Sequence, residues 1–405
     1  MTEQKGSRKK KIILLSNLFP NPADEGRGIF TLQIALRLRD LCDISVICPM
    51  PFFPSWQILR GFRQWHLFSQ IPGQYSIQGI RVLSPKYLMI PKISDIAHAV
   101  LMFFPLFNAL RRLKKAGDVD LVNVHWLYPD GVAASWACRR LKIPFVLTAL
   151  GCDVNSYAQK PVIGKMIKAA VRKCAALTTV SIDLEEKVRK WHVYNGIMSS
   201  IPNGVDLSLF EPYRKDFCRE KLDLPHNAKI ILFVGRLTLE KGFNYLIDAI
   251  EILVDRGESG ILVVVVGDGP LRDAYEHQVK FRGLTPFFAF KGSRSYDEIP
   301  FWMAASDLLC LPSLREGCPN VALEALGTGR PVVASEVGGV PEIVNDGQNG
   351  FTVVPRDGTS LAKHLQSALG RCWNPDIVRS SVSERSWERA AQAYDEVYRL
   401  VLFSS

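Results

Sequence analysis

Arg236 and Lys241 stand just behind the apolar run Lys229–Gly235 (KIILFVG), with Gly235 and Gly242 beside them. A glycine and two cations between a strand end and a helix start suit an anion. Helix N-termini present free N–H groups and a partial positive charge to phosphate, and arginine adds bidentate contacts. Two solvated surface cations would read the same way. A second junction, Gly267-Asp268-Gly269-Pro270-Leu271-Arg272, follows the run ILVVVVG; a tight turn explains it equally well. It lacks the G-x-G-x-x-G of a dinucleotide fingerprint, which weighs against a nicotinamide enzyme. The third junction is the most specific. Ser313-Leu-Arg-Glu316-Gly-Cys-Pro319-Asn320-Val321-Ala-Leu-Glu324 is followed by Gly338-Gly339-Val340-Pro341-Glu342. Two carboxylates eight positions apart in a strand–loop–helix setting can enter one crevice at different depths. Each can grip vicinal hydroxyls, so a ribose and a sugar ring are plausible partners. Acidic stabilisation of a helix start is the simpler alternative.

The elements that must position these residues alternate along the whole chain. In the first half, 11–17, 44–49, 80–84, 121–126, 144–150 and 176–181 read as strands, and 28–39 has helical apolar spacing. In the second, 229–235, 261–267, 286–292, 307–313 and 330–336 read as strands, with helices over 244–255 and 320–326 between them. Strand–helix alternation twice over predicts an α/β protein with two doubly wound sheets, whose ligands bind beyond the carboxyl ends of the strands. The domains expected are 1–205 and 206–383. The turn-rich join lies at 201–214, and a last helix over 384–405 is free to pack back on the first domain. That helix carries Trp387, Ala390, Ala391, Tyr394, Val397, Tyr398 and Val401 on one face.

Composition narrows the classes. The 405 residues are 47% hydrophobic and 22% charged, as in a soluble globular protein. Nine scattered cysteines form no C-x2-C cluster, so neither zinc nor a disulfide framework is indicated. Reduced thiols in a cytoplasmic protein are expected. Residues 97–110 are the most lipid-like stretch but are too short to span a bilayer. The net charge of +10 is uneven: residues 1–200 hold 28 Lys/Arg against 13 Asp/Glu, a local balance of +15. With Phe52–Phe68, where Trp56 and Trp65 mix with Arg60 and Arg63, this favours an anionic membrane surface as partner. Core packing under a solvated face would also explain that segment. No helix-turn-helix, finger or RNA-platform signature is present, so nucleic acid is not expected.

Taken together, these motifs resemble those of the family-four glycosyltransferases. The likeness runs from SNLFPNPADEGRGIF through VHWLYPDG, IPNGVDLSLF, GRLTLEKG and GDGPLR to REGCPNVALEALGTGRPVVASEVGGVPEIV. It implies the GT-B fold, two facing Rossmann-like domains with an interdomain cleft, and retaining transfer from a nucleotide-diphosphate sugar. By this resemblance Arg236 and Lys241 hold the diphosphate, Glu316 the transferred sugar and Glu324 the nucleotide ribose. Gly235 and backbone amides around Pro319, Asn320 and Val321 line the donor. Gly26 and Gly28 approach it from the first domain, and Asn203 and Gly204 form the interdomain turn. His125, Asp130 and Asp153 are the acceptor candidates, although His125 reads equally as a core histidine.

No metal pair and no cofactor beyond the co-substrate are expected. The departing phosphate would take the acceptor's proton, so no side-chain base is named. The implied acceptor is lipid-linked or a glycan of bacterial surface or exopolysaccharide, at the inner face of the plasma membrane. A soluble sugar-phosphate acceptor and a silent assembly scaffold are the alternatives. The last is motivated by Leu150, which stands in TALGCD (148–153) where the family pattern has His or Arg; Cys152 replaces Ser there.

Overall fold

In a computed structural model of the protein, residues 8–52, 67–89 and 96–403 are described. The chain divides at Pro202/Asn203 and again at Ser386/Trp387. One unit is Met1–Pro202 with Trp387–Ser405, and the other is Asn203–Ser386.

The first unit is built on β1 (Lys11–Leu15), β2 (Asp43–Ile47), β3 (Met50–Phe52), β4 (Gln74–Ile77), β5 (Ile80–Leu83), β6 (Lys86–Leu88), β7 (Leu121–His125), β8 (Phe145–Ala149), β9 (Ala176–Thr179) and β10 (Ile197–Ser200). Eight of them form a sheet in the order β10-β9-β8-β7-β1-β2-β5-β4, parallel except for the β4–β5 hairpin; β3 and β6 pair separately. Side chains alternate across a strand. Accordingly Ile12 and Leu14 of β1 share a core with Ile44 and Val46 of β2, under the helices Ile29–Leu41 and Trp387–Phe403.

The C-terminal helix is bound by specific polar contacts as well as by its apolar face. Asp395, almost sealed, meets Lys10 at 2.5 Å and Arg399 at 2.8 Å, and the Cys42 thiol donates to it. Asn123 donates to the Tyr398 hydroxyl at 2.7 Å. Trp387, Ala390, Ala391, Tyr394, Val397 and Tyr398 are buried. The lipid-like stretch becomes the N-terminal part of a helix, His98–Ala116, with Pro105 inside it. Among the described residues no helix is long and apolar enough to cross a membrane. Most of Phe52–Phe68 lies outside the described residues.

The second unit has a six-stranded, all-parallel sheet of β11 (Lys229–Val234), β12 (Ile261–Val266), β13 (Phe288–Gly292), β14 (Leu308–Leu311), β15 (Val332–Ser335) and β16 (Gly350–Val353). Their order is β13-β12-β11-β14-β15-β16. Both faces are buried, as continuous apolar runs require. Ile230, Leu232, Val264, Val266 and Leu309 belong to one core; Ile231, Phe233, Val263, Val265 and Leu308 belong to the other. All nine cysteines are free thiols, six of them buried.

Candidate active site

In the second unit the strand order reverses between β11 and β14. Such a reversal opens a crevice beyond the carboxyl ends of the two strands, where open α/β sheets bind ligands. The loops after β11 and β14 carry the charged residues singled out in the sequence, and close packing fixes them against one another. Gly242, at φ 61°, lets the first loop abut the second: a Cβ there would lie 2.1 Å from the Pro312 carbonyl oxygen. Leu314 N–H donates to the Glu240 carbonyl at 2.8 Å. Gly338, at φ 56°, plays the same part for the loop after β15, since its Cβ would fall 1.9 Å from the Glu316 carbonyl oxygen.

This packing brings Lys241 and Glu316 together. Lys241 Nζ donates to Glu316 Oε1 at 2.6 Å, and Ser313 Oγ donates to the same oxygen at 2.7 Å. Glu316 is only 9% exposed and Ser313 is buried. Arg236 is exposed, and among the described residues it has no ion-pair partner. Behind them starts the helix Asn320–Gly327, with Pro319 as its N-cap residue. Pro319 has no N–H; its carbonyl accepts from Ala322, so the forward amides are those of Asn320 and Val321. Asn320 Oδ1 accepts from Asn203 Nδ2 at 2.8 Å, which ties the start of this unit to the helix. Glu324 lies one turn further in. Enclosure of its carboxyl pushes its pKa up to about 7, against a hydrogen bond with Tyr296 that lowers it. The arrangement can offer Arg236 and two helix-start amides to an anion and carboxylates at two depths to hydroxyls.

The Gly267–Arg272 segment has another task. A Cβ on Gly267 (φ 137°) would come within 2.0 Å of the Gly235 carbonyl oxygen, and one on Gly269 within 2.5 Å of that of Leu237. Leu237 N–H donates to Asp268 and Leu271 N–H to Leu237. The turn is a backbone splint for the Gly235–Arg236 loop.

In the first unit the order reverses between β1 and β7. Asp130 lies just past β7 and Asn17 just past β1. Asp130 accepts from the Asn17 backbone N–H at 2.7 Å and from Asn17 Nδ2 at 2.8 Å. Arg27 Nε donates to the Asn17 carbonyl at 3.0 Å, drawing the Gly26–Gly28 loop to the same point. Gly28, at φ 64°, has the Leu18 carbonyl where a Cβ would be, whereas Gly26 meets no close neighbour. Asp153 gathers the amides of Leu127, Leu150, Gly151 and Val154. Leu150 thus lacks the polar side chain of the family pattern, but its backbone is fixed. Both carboxylates are fully buried. Burial pushes Asp130 up to about 7, and it raises Asp153 against the four amides that lower it. His125 is 3% exposed and stacks on Tyr394 at 5.6 Å; burial pushes it down to about 3. Trp126 holds a strained φ of 102° between Thr148 and Gly131, and so aims the loop that follows β7.

Sequence reading missed the Asn17–Asp130 pair, the Ser313 and Tyr296 contacts, and the splint role of Gly267 and Gly269. The glycines were visible in the sequence, but what lies against them was not. Among the described residues no group of His, Cys, Asp and Glu is placed to hold a metal.

Comparison with known proteins matches both halves. Residues 25–209 fit the model of Glycosyltransferase Family 4, and residues 214–371 that of Glycosyl transferases group 1. A D-inositol 3-phosphate glycosyltransferase of Corynebacterium glutamicum (strain R) is 30% identical over 67% of this chain and 68% of its own. The chain therefore belongs to the family-four glycosyltransferases, retaining enzymes of class EC 2.4 that use nucleotide sugars.

Along its full length it is similar to TuaC of Bacillus subtilis (strain 168), a glycosyltransferase assigned to teichuronic acid biosynthesis. The two are 29% identical over 95% of each chain. The fold matches sucrose-phosphate synthase of Thermosynechococcus elongatus (TM-score 0.78, 21% identity, 98% and 100% coverage). It also matches Anabaena HepE in complex with UDP and glucose (TM-score 0.74, 21% identity, 96% and 99% coverage). These likenesses establish the two-domain GT-B architecture.

Proposed function

We propose that this enzyme moves a sugar from a UDP- or GDP-linked donor to a hydroxyl of a lipid-linked or polysaccharide acceptor in bacterial surface polysaccharide synthesis. The donor site is assigned to the second unit and the acceptor to the first. The observation that carries the reading is the Lys241–Glu316–Ser313 cluster between the β11 and β14 loops, beside Arg236 and the first amides of Asn320–Gly327.

The costly event in such a transfer is departure of the diphosphate. Arg236, Lys241 and the amides of Asn320 and Val321 stabilise the charge that develops on it. Glu316 keeps Oε2 for the hydroxyls of the transferred sugar, because Lys241 and Ser313 already hold Oε1. Glu324 receives the ribose hydroxyls best when ionised. Gly235 gives the phosphates close backbone approach, and Gly26 and Gly28 are assigned to the donor by the family resemblance alone. The acceptor hydroxyl attacks from the face that the diphosphate leaves, which retains the configuration, and the departing phosphate takes its proton, so no side-chain base is needed. With two cations and a helix N-terminus in place, the reaction proceeds without a metal.

Asp130, Asp153 and His125 are enclosed, so the acceptor meets the loops they hold and not their carboxylates or ring. TuaC's assignment to teichuronic acid biosynthesis supports a surface-glycan acceptor and a place at the inner face of the plasma membrane. The D-inositol 3-phosphate glycosyltransferases among the relatives favour a second reading, a soluble phosphorylated acceptor.

The test is to incubate the purified protein with labelled UDP- and GDP-sugars, offering membrane lipid extract or soluble sugar phosphates. Label in the organic phase with the donor's anomeric configuration is expected. Label confined to water-soluble products would overturn the lipid-linked acceptor.

A further inference from the structure

The charge of the first unit is concentrated on one face of its sheet. The helix Ile29–Leu41 joins β1 to β2, whereas His98–Ala116, Val132–Leu141 and Pro161–Val171 join strands in the opposite direction along the sheet. Right-handed crossovers therefore place these three on the other side, where Val132–Leu141 packs against both of its neighbours. The three helices hold eight cations, Arg111, Arg112, Lys114, Lys115, Arg139, Arg140, Lys165 and Lys168, and not one Asp or Glu. Lys142, Arg172 and Lys173 follow directly at their C-terminal ends. Among the described residues none of these eleven forms an ion pair.

The other side of the sheet is balanced. Ile29–Leu41 and Trp387–Phe403 carry four cations and four carboxylates, several of them paired, as in Arg37–Glu388 and Arg399–Asp395. The basic field also has an edge. The next helix, Ile182–Arg189, pairs Lys187 with Asp183 and Arg189 with Glu185.

Apolar groups accompany the cations. Along the outer side of His98–Ala116 and the residue before its cap, Ile96 is 53% exposed, Val100 44% and Phe104 61%. They follow a four-residue spacing that continues through Asn108 to the Arg111–Lys115 cluster. Its inner side, Ala99, Met102, Leu106, Leu110 and Leu113, is buried. A helix that carries apolar groups and then cations outwards and no acid of its own, the nearby Asp118 being paired with Lys11, matches the chemistry of an anionic bilayer: acyl carbon under a negative headgroup layer. Nucleic acid would answer the cations but leave Val100 and Phe104 in water, and an acidic protein would call for no such uniform field.

We propose that the helix layer His98–Ala116, Val132–Leu141 and Pro161–Val171 docks this enzyme on an anionic lipid surface, with Val100 and Phe104 entering the headgroup region. This deepens the lipid-linked-acceptor reading and rests on it, since it would set the acceptor-binding unit against the membrane. Phosphate headgroups take the cations, and the balanced side of the sheet is left facing water.

The experiment is co-sedimentation of the full chain with vesicles of phosphatidylcholine alone or mixed with phosphatidylglycerol. Wild-type protein should sediment with the mixed vesicles only and be released by salt. Each neutralised cation should lower partitioning about fivefold. The quadruple variant Arg112→Gln, Lys115→Gln, Arg139→Gln, Lys165→Gln should thus lose most binding, and Val100→Ser with Phe104→Ser should lower it severalfold. Both variants should keep the wild-type melting temperature and nucleotide-induced shift, which separates this face from the donor site. Equal sedimentation with both vesicle types, unchanged binding by the variants, or tighter capture by duplex DNA than by the mixed vesicles would overturn the proposal. A failure there with the nucleotide shift intact leaves the transferase reading standing.

Discussion

The two sheets each reverse strand order once, and the carboxylates at the two reversals are used in opposite ways. In the second unit Glu316 sits between the β11 and β14 loops, held on one oxygen by Lys241 and Ser313, and is proposed to offer the other to the donor sugar. In the first unit Asp130 and Asp153 are sealed, and their acceptor capacity goes to backbone amides and the Asn17 side chain. A partly exposed charge beside a cation keeps an oxygen that its neighbours do not occupy. A charge surrounded by N–H groups inside the fold is a fastener. The lesson is that residue type and loop position alone do not distinguish the two, whereas burial and partners do.

Substitution should break this contrast in a definite order. Glu316→Gln or Lys241→Ala should reduce transfer about 10²–10³-fold, the usual range for losing one transition-state electrostatic contact. Melting should be nearly unchanged, so rates and Tm measured together separate chemistry from folding. Asp153→Ala should do the reverse. It strands several buried amides and should cost about 2–4 kcal/mol of stability in denaturant unfolding, while any activity loss tracks the folded fraction. Ser313→Ala removes one of the two bonds to Glu316 Oε1 and should cost about 1 kcal/mol, read as a few-fold fall in transfer.

Acidity supplies a finer test. Burial raises Glu324 from 4.5, and Asp130 from 3.8, to about 7. The folded chain therefore keeps two protons that the unfolded chain releases first. Their contribution to stability should fall as pH rises from about 4 to about 7 and then level off. It is opposed by His125, which is buried neutral and contributes more as pH rises towards 6.5. Glu324→Gln should flatten part of that slope in a pH series of melts. Donor affinity should rise over the same interval in the parent enzyme and lose that dependence in the variant.

Much of the architecture was legible because buried parallel strands are written as short apolar runs; ILVVVVG and KIILFVG became β12 and β11. The strands that escaped are β3, β4, β6, β10 and β16. They are three or four residues long, and several lie at sheet edges where half-exposed polar residues hide the pattern, as in IMSS and QYSI. The loops proposed to hold the donor were legible because their cations and carboxylates cluster in sequence. The tie between Asp130 and Asn17 was not legible, since the two lie 113 positions apart and nothing local announces it. The unpaired basic layer showed only as an uneven charge; topology was needed to gather it onto one side.

The donor assignment is tested most directly by titrating UDP, GDP, ADP and CDP into the wild-type enzyme and into Arg236→Ala and Lys241→Ala, with and without chelator. One nucleotide diphosphate should bind equally well in chelator and lose at least tenfold in affinity in each variant. Binding that needs a divalent metal, or that both variants retain unchanged, would contradict the electrostatic account of the site.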